Sequence, residues 1–250
     1  MTTSRTATLL SLLDAYDEAP EATALRARSY ELLRLSPGAS VVDVGCGGGR
    51  AVAELLDQGA HAVGVDVDEE MVAAAKQRRP DADFRLGDAY ALPFDDGELS
   101  GYRADKVIHV LDDPARALNE AQRVLAPGGR IVLLGQDWDA YIIDSDHPEL
   151  TWTILRARAA QISTPRAARA YRSLLLEAGF HDAKAEVHTN VFTASMPQTL
   201  TMLSNIVERP RAAGAISDDE AETWLADQHA RAKQDRLFLA IPLILASASK

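Results

Sequence analysis

Apolar positions along the chain alternate between two periods. Residues 22–35, A-T-A-L-R-A-R-S-Y-E-L-L-R-L, set Leu25, Leu32 and Leu33 on one helical stripe, and Ser36-Pro37-Gly38 ends it. Ser40 to Gly45 reads as a short buried strand, Ala51 to Gln58 as a helix stopped at Gly59, and His61 to Asp66 as a second strand. Asp68 to Gln77 is helical and stops before Pro80, Ala82 to Leu86 is a third strand, and Leu99 to Val107 holds a fourth. Pro114 to Leu125 is a helix closed by Pro127-Gly128-Gly129, and Arg130 to Gly135 is a fifth strand. Strands separated by single helices need right-handed crossovers and a parallel sheet covered on both faces. The expected fold class is therefore α/β, with a doubly wound, mostly parallel sheet.

The rhythm changes after Gly135. Residues 136–147 are polar and irregular, and helical stretches follow near 149–160 and 166–178, the second closed by Gly179. His181 to Thr193 predicts a long strand, 197–208 and 217–235 predict helices joined by a turn around Pro210 to Gly214, and an apolar strand spans 237–246. The helices between the last two strands exceed what a minimal open sheet needs, and they are expected to form a lid or substrate wall. No internal repeat or low-complexity tract interrupts the chain. One domain over 1–250 is expected: an N-terminal helical cap (1–36), a core (37–136), lid helices with the penultimate strand (137–235), and the last strand with the C-terminus (236–250).

Composition narrows the class. The 250 residues are 47% hydrophobic and 25% charged, as in an ordinary globular enzyme. A net charge of −11, with Lys and Arg spread along the chain, argues against nucleic acid as a partner. Cys46 is the one cysteine, so neither an internal disulfide nor a cysteine metal cluster can form. The opening M-T-T-S-R-T-A-T-L-L lacks an apolar core with a cleavage site, and L-F-L-A-I-P-L-I-L-A is too short for a membrane span and contains Pro242. A soluble cytoplasmic protein without a membrane partner, monomeric or homodimeric, is the expectation.

The segment V-V-D-V-G-C-G-G-G-R, Val41 to Arg50, places four glycines in the five positions from Gly45 to Gly49. Glycines where a strand hands over to a helix let a ligand lie against bare main chain at the helix N-terminus. The dinucleotide fingerprint G-x-G-x-x-G is not met, because Arg50 stands at its third glycine. Asp43, two residues before the first glycine, would repel a pyrophosphate and suits an ammonium group or a hydrogen-bond donor. A cationic, phosphate-free ligand follows.

These residues resemble motif I of class I S-adenosylmethionine-dependent methyltransferases. G-V-D-V-D-E-E-M-V at 64–72, R-L-G-D-A-Y-A-L-P-F-D-D-G at 85–97 and R-V-L-A-P-G-G-R-I-V-L-L at 123–134 resemble the later motifs of that family, in order. The resemblance covers about residues 22–136 and is to the small-molecule, ubiquinone-type (methyltransferase type 11) group. It implies a Rossmann-like fold with helical lid elements, S-adenosylmethionine as cofactor, and methyl transfer to a small-molecule acceptor. It further implies a cofactor site formed by Asp43, Gly45, Cys46 and Gly47, by Asp66 on the ribose hydroxyls with Val67 beside it, by Asp88 on the adenine amino group, by the Ala89 backbone, and by Lys106. The bland alternative for Asp66 and Asp88 is that they cap the elements that follow. Arg28 is a candidate partner for the cofactor carboxylate or a solvated residue of the first helix, and Tyr16 a cover over the cofactor or a packed aromatic. Cys46 is most simply a small buried filler.

Catalytic candidates are fewer. In A-D-K-V-I-H-V-L-D-D-P, residues 104–114, this chain has His109 where the family often has Gln, and Val110 where it often has His. His109 is therefore a candidate base, a contact to the methionine end of the cofactor, or a structural residue. In G-Q-D-W-D-A-Y-I-I-D-S-D-H-P, residues 135–148, Trp138, Tyr141 and His147 are substrate candidates, the two aromatics by stacking on a flat or cationic acceptor. The plainer reading is an exposed acidic loop with Ser145 or Asp146 capping the next helix. No metal-ligand spacing is present. Arsenic methylation is disfavoured by the single cysteine, and a nucleic-acid acceptor by K-V-I-H-V-L standing where an N-P-P-Y-like motif would be. Oxygen, nitrogen and carbon acceptors stay open, as does a role in secondary metabolism. The rivals are a S-adenosylmethionine-binding enzyme of another reaction type, a non-catalytic regulatory protein that binds the same cofactor, and a nucleotide oxidoreductase.

Overall fold

The structure is a computed structural model that describes residues 10, 14, 17–194, 196 and 198–250. Five parallel strands form its frame: β1 (Ser40–Val44), β2 (His61–Asp66), β3 (Asp83–Leu86), β4 (Leu99–Asp105) and β5 (Leu125–Gln136). They lie in the order β3-β2-β1-β4-β5, and β8 (Phe238–Ser249) closes the row antiparallel to β5. The order reverses between β1 and β4, so the carboxyl ends of these two strands diverge into a crevice. The fold class is the expected one.

Helices cover both faces. α1 (Pro20–Leu33), α2 (Arg50–Asp57) and α3 (Glu69–Arg78) bury Leu33, Val52, Leu55 and Ala75 against one side of the sheet. α4 (Pro114–Val124) and α6 (Ala167–Glu177) bury Leu118, Ala121, Tyr171 and Leu175 against the other. Local chemistry starts and stops them. Asp68 caps α3 by accepting from the Glu70 and Met71 amides, and Lys76 and Arg78 in the last turn complement the helix dipole. Leu25, Leu32 and Leu33 are buried as the first helical stripe requires.

The lid comprises α5 (Pro148–Ala159), α7 (Gln198–Ala212) and α8 (Asp218–Lys233), with a cluster of its own around Trp224, Ile154, Leu203 and Val207. α6 lies between them in sequence but packs on the core sheet. β7 (His181–Thr193) has the predicted bounds and pairs with β8 along its length. β8 is shared: Leu243 to Ser249 pair with β5, and Leu239 and Ala240 pair with the two-residue β6 (Ile142–Ile143). The irregular loop at 136–147 is tied to the lid by Arg231, which is buried and pairs with Asp144, Asp146 and Asp227.

Three expectations give way. Pro127-Gly128-Gly129 does not separate helix from strand: β5 starts at Leu125, and the extra residues bulge out between the Leu99–Leu125 and Gly101–Arg130 pairs. α7 runs through Pro210 to Ala212, because a proline two residues from the helix end leaves only a short remainder to disturb. β8 continues to Ser249, past residue 246, since β5 and β7 both supply partners there.

Trp224 is fully buried, and its Nε1 donates to Thr151 Oγ1 at 2.9 Å. Trp224→Ala is expected to lower unfolding stability by ~3–5 kcal/mol, the usual loss for a large core aromatic; an unfolding free energy from urea titration within about 1 kcal/mol of wild type would show that the lid is not packed on this residue.

Candidate active site

β4 carries a charge where a central strand should be apolar. Arg103 is 2% exposed and stands in register with Asp43 of β1, itself 3% exposed. Its guanidinium donates to Asp43 Oδ1 at 2.6 Å, to Asp105 Oδ2 at 2.9 Å and to Ser29 Oγ of α1 at 2.9 Å, and lies 5.6 Å from the Tyr30 ring centre. Burial pushes the Asp43 carboxyl up from its ordinary range, and the guanidinium opposes that rise. Burial also raises Asp105, but Lys106 and Arg103 outweigh it and hold this carboxyl below its usual range. The cluster anchors the end of β4, where Lys106 takes a left-handed backbone with φ 59° and its amide donates to Leu134 O at 2.7 Å.

Three spaces meet at this corner. A cleft of about 430 Å³ opens between the carboxyl ends of β1, β2 and β4. Gly45, Asp66, Val67, Asp88, Ala89 and Lys106 line it together, and Val107, Val110 and Leu111 add an apolar wall. Gly45 has φ 69°, and a Cβ there would enter the van der Waals shell of Val107 Cγ2. Asp66 Oδ2 accepts from the Gly47 amide at 2.8 Å and Oδ1 from the Asp68 amide at 3.0 Å. A carboxylate has about four lone-pair sites, so acceptor capacity remains toward the cleft. Asp88 Oδ1 accepts from the Tyr90 amide at 2.9 Å, which fixes the turn after β3.

A shallower space of about 100 Å³ adjoins the cleft through Gly45 and Asp105. It runs past Cys46, Gly47 and Gly48 and carries both signs of charge, with Arg26, Arg50 and Arg78 facing Asp14 and Asp43. A third space, about 250 Å³, shares Lys106 with the cleft and lies under the lid. Tyr141, Phe192, Met202, Ile206 and Ile241 give it apolar walls, and Gln136, Arg158, Asn190 and Asn205 add polar groups.

Several candidates are placed elsewhere. Arg28 does not line the cleft: its guanidinium pairs with Glu186 of β7 at 2.5 Å and with Glu31 at 2.8 Å, because its helix face turns toward the β7 edge. Tyr16 lies outside the described residues. Asp43 lines the shallow space, but its charge is committed to Arg103. Cys46 is buried and its thiol is pushed up by that burial, so it packs and carries no reactive thiolate. His147 is the residue before α5 and gives no side-chain cap, and neither do the two residues expected to cap it. Ser145 binds Asp227 at 2.7 Å, and Asp146 pairs with Arg231 at 2.6 Å.

His109 lines none of the three spaces. It is 6% exposed in a short 3-10 turn held by Thr164, whose hydroxyl donates to Ile108 O at 2.8 Å, and its ring packs 5.3 Å from Trp138. Trp138 in turn stacks on Tyr141 at 6.1 Å. The imidazole packs on Trp138, which in turn stacks on Tyr141, so two rings separate His109 from the acceptor space. The residues that sequence reasoning missed are the lid's contributions, Arg158 and Asn190 among them, and Arg103. A charged residue inside S-G-Y-R-A-D was a signal for Arg103; nothing local marked the others.

Burial, reinforced by Lys106, pushes His109 down to about 4 from an ordinary value of 6.5. In the window between those values the unfolded chain binds a proton that the folded chain refuses, so stability is full above about 6.5 and drains as pH falls toward about 4. His109→Gln is expected to flatten the acid decline in melting temperature across that window; an unchanged slope would assign the decline to other groups.

Comparison with known proteins agrees with this geometry. A family model described as a methyltransferase domain matches residues 42–133. An uncharacterised 37.1 kDa protein from a Streptomyces fradiae transposon is 34% identical over 217 residues, covering 82% of this chain and 63% of that protein. A demethylmenaquinone methyltransferase of Beutenbergia cavernae is 37% identical over 108 residues, 43% of this chain and 45% of that enzyme. The chain thus spans less than two thirds of the length of these relatives. A crystal structure of a putative methyltransferase from Bacillus halodurans superposes with a TM-score of 0.62 at 20% identity, over 90% of this chain and 98% of that one, which shows the shared fold. Residues 42–133 are a methyltransferase domain, carried on the Rossmann-like fold that this chain shares with the Bacillus halodurans structure.

Proposed function

We propose that the protein transfers the methyl group of S-adenosylmethionine to a small-molecule acceptor bound under the lid. The observation that carries this reading is the meeting of three chemically distinct spaces at Asp105 and Lys106. The residues present fit the cofactor. Gly47 has φ 50°, and a Cβ there would meet nothing within 4 Å, so its main chain is bare toward the shallow space. Charges of both signs beside it suit an amino-acid zwitterion. Asp66 and Asp88 offer acceptors to hydroxyl and amino donors, and Val67, Val107, Val110 and Leu111 suit a flat ring.

When bound, the cofactor supplies an activated sulfonium methyl that needs only an aligned nucleophile. The chain's own residues then hold and orient. Asp66 and Asp88 fix the nucleoside, Lys106 forms the wall common to cleft and acceptor space, and the lid's aromatic and aliphatic residues exclude water around the acceptor. Among the described residues lining the acceptor space there is neither a carboxylate nor a histidine. Alignment and desolvation, without a histidine base at the acceptor, are the catalytic means this geometry supports.

The family match ends at residue 133, and of the acceptor-space residues only Lys106 falls inside it. The acceptor is accordingly set by this chain's lid.

Calorimetry with S-adenosylmethionine and with NAD tests the cofactor, and release of S-adenosylhomocysteine with a panel of small aromatic acceptors tests the reaction. Binding of the sulfonium compound without NAD binding, followed by turnover, is expected; tight NAD binding would overturn the reading. Asp66→Ala is expected to weaken S-adenosylmethionine ~10-fold or more, the scale of lost charge-assisted hydrogen bonds. Gly45→Ala should do the same through Val107; near-native affinity in both variants would move the cofactor out of this cleft.

A further inference from the structure

The acceptor space holds a cation that pairs with no acid among the described residues. Arg158 of α5 lines it, and Arg158 Nε is buried without a hydrogen-bond partner among the described residues. The guanidinium carbon lies 4.7 Å from the Trp138 ring centre and 5.7 Å from that of Tyr141, and the Tyr141 hydroxyl accepts from the guanidinium. Burial pushes its pKa down, reinforced by a second cation, Arg209, and opposed by the Tyr141 hydroxyl. Most other buried or half-buried arginines of this protein are matched: Arg26 with Glu54, Arg103 with Asp43 and Asp105, Arg231 with three aspartates. Arginine cannot shed its proton to escape burial, so the charge has to be met by something. Rings stack on the guanidinium face and leave its edge, a row of N–H donors that matches a carboxylate. Lys106, paired with Asp105 at 3.3 Å, stands on the same space, and among the described residues none that lines it is acidic. A locally cationic pocket in a chain of net charge −11 is selective by contrast with everything around it.

We infer that the acceptor is a small organic acid with an aromatic or otherwise flat body, whose anionic group pairs with the edge of Arg158 while its body packs between Tyr141, Phe192 and Ile206. The apolar walls account for the flat body, and a volume of about 250 Å³ limits it to one or two rings. Trp138 and Tyr141 hold Arg158 in place, and His109 supports that stack from behind. The aromatic pair therefore binds the protein's own cation, and the cationic acceptor considered from the sequence is replaced by an anionic one. This inference rests on the methyl-transfer reading for the role of the pocket, but its binding chemistry is testable without turnover.

The test is calorimetry on the full chain, with and without S-adenosylhomocysteine, using 4-hydroxybenzoate, its neutral methyl ester, and the cationic tyramine as probes of one ring size. The acid is expected to bind ~10-fold or more tightly than the ester, as charge-assisted pairing implies, with tyramine weakest. Arg158→Met should bring the acid down to the level of the ester, and Arg158→Lys should fall between, with S-adenosylhomocysteine affinity within twofold of wild type in both. Equal binding of acid and ester by the wild type, no binding of the acid, or an Arg158→Met variant that keeps its preference for the acid would each overturn the inference. The acid-against-ester comparison in the wild type decides the matter even where a variant fails to fold. Loss of S-adenosylhomocysteine binding in the wild type, with acid preference intact, would instead sink the methyl-transfer reading alone.

Discussion

The arrangement depends on one buried ion cluster. Arg103 joins β1, β4 and α1 through Asp43, Asp105 and Ser29 in a place with almost no solvent. Stripping one partner from such a cluster leaves a bare buried charge, which costs about 3–5 kcal/mol, so the three elements are held to a single register. The cluster thereby sets where β4 stops and how the chain turns into Lys106. It also draws α1 into the site, although the methyltransferase domain match begins only at residue 42. Tyr30 of the same helix stacks near Arg103 and donates to Glu54 of α2 at 2.9 Å, extending the hold to the helix that follows the glycines.

Around that anchor, charge is graded by distance from the sheet. Near the glycines acids and bases alternate and mostly satisfy one another. In the cleft the acids have spare acceptor capacity and the opposite wall is apolar. Under the lid no acid lines the space among the described residues, and Arg158 stands without an acidic partner there. The gradient follows from which element supplies each wall: strand ends for the acids, the turn after β4 for the apolar wall, and the lid helices for the cation.

What the sequence made legible was whatever local chemistry controls. The alternation of periods yields the succession of strands and helices up to β5, and β7 keeps its predicted ends, with the turn signal at Gly179 before it and a bulge between its His181 and Lys184 pairings. Asp66, Asp88 and the glycines were legible because each sits beside a strand end in sequence as well as in space. Arg28's partner, Glu186, was not legible because helical spacing says which face a side chain occupies, not which strand edge that face meets. The surroundings of His109 were hidden for a related reason: the ring it packs on comes from a loop almost thirty residues on, at Trp138. Arg158 was invisible. Its meaning comes from the absence of acids around it, and no single segment of chain can reveal an absence assembled from five.

The strand β8 has two unlike tenants, the parallel core along one half and the lid's short β6 along the other. Heredity can exploit that division. Mutations that reshape α5, α7 or α8 act at one end of a shared beam, while the glycine crevice is braced at the other. The space under the lid can therefore be reshaped without disturbing the glycine crevice.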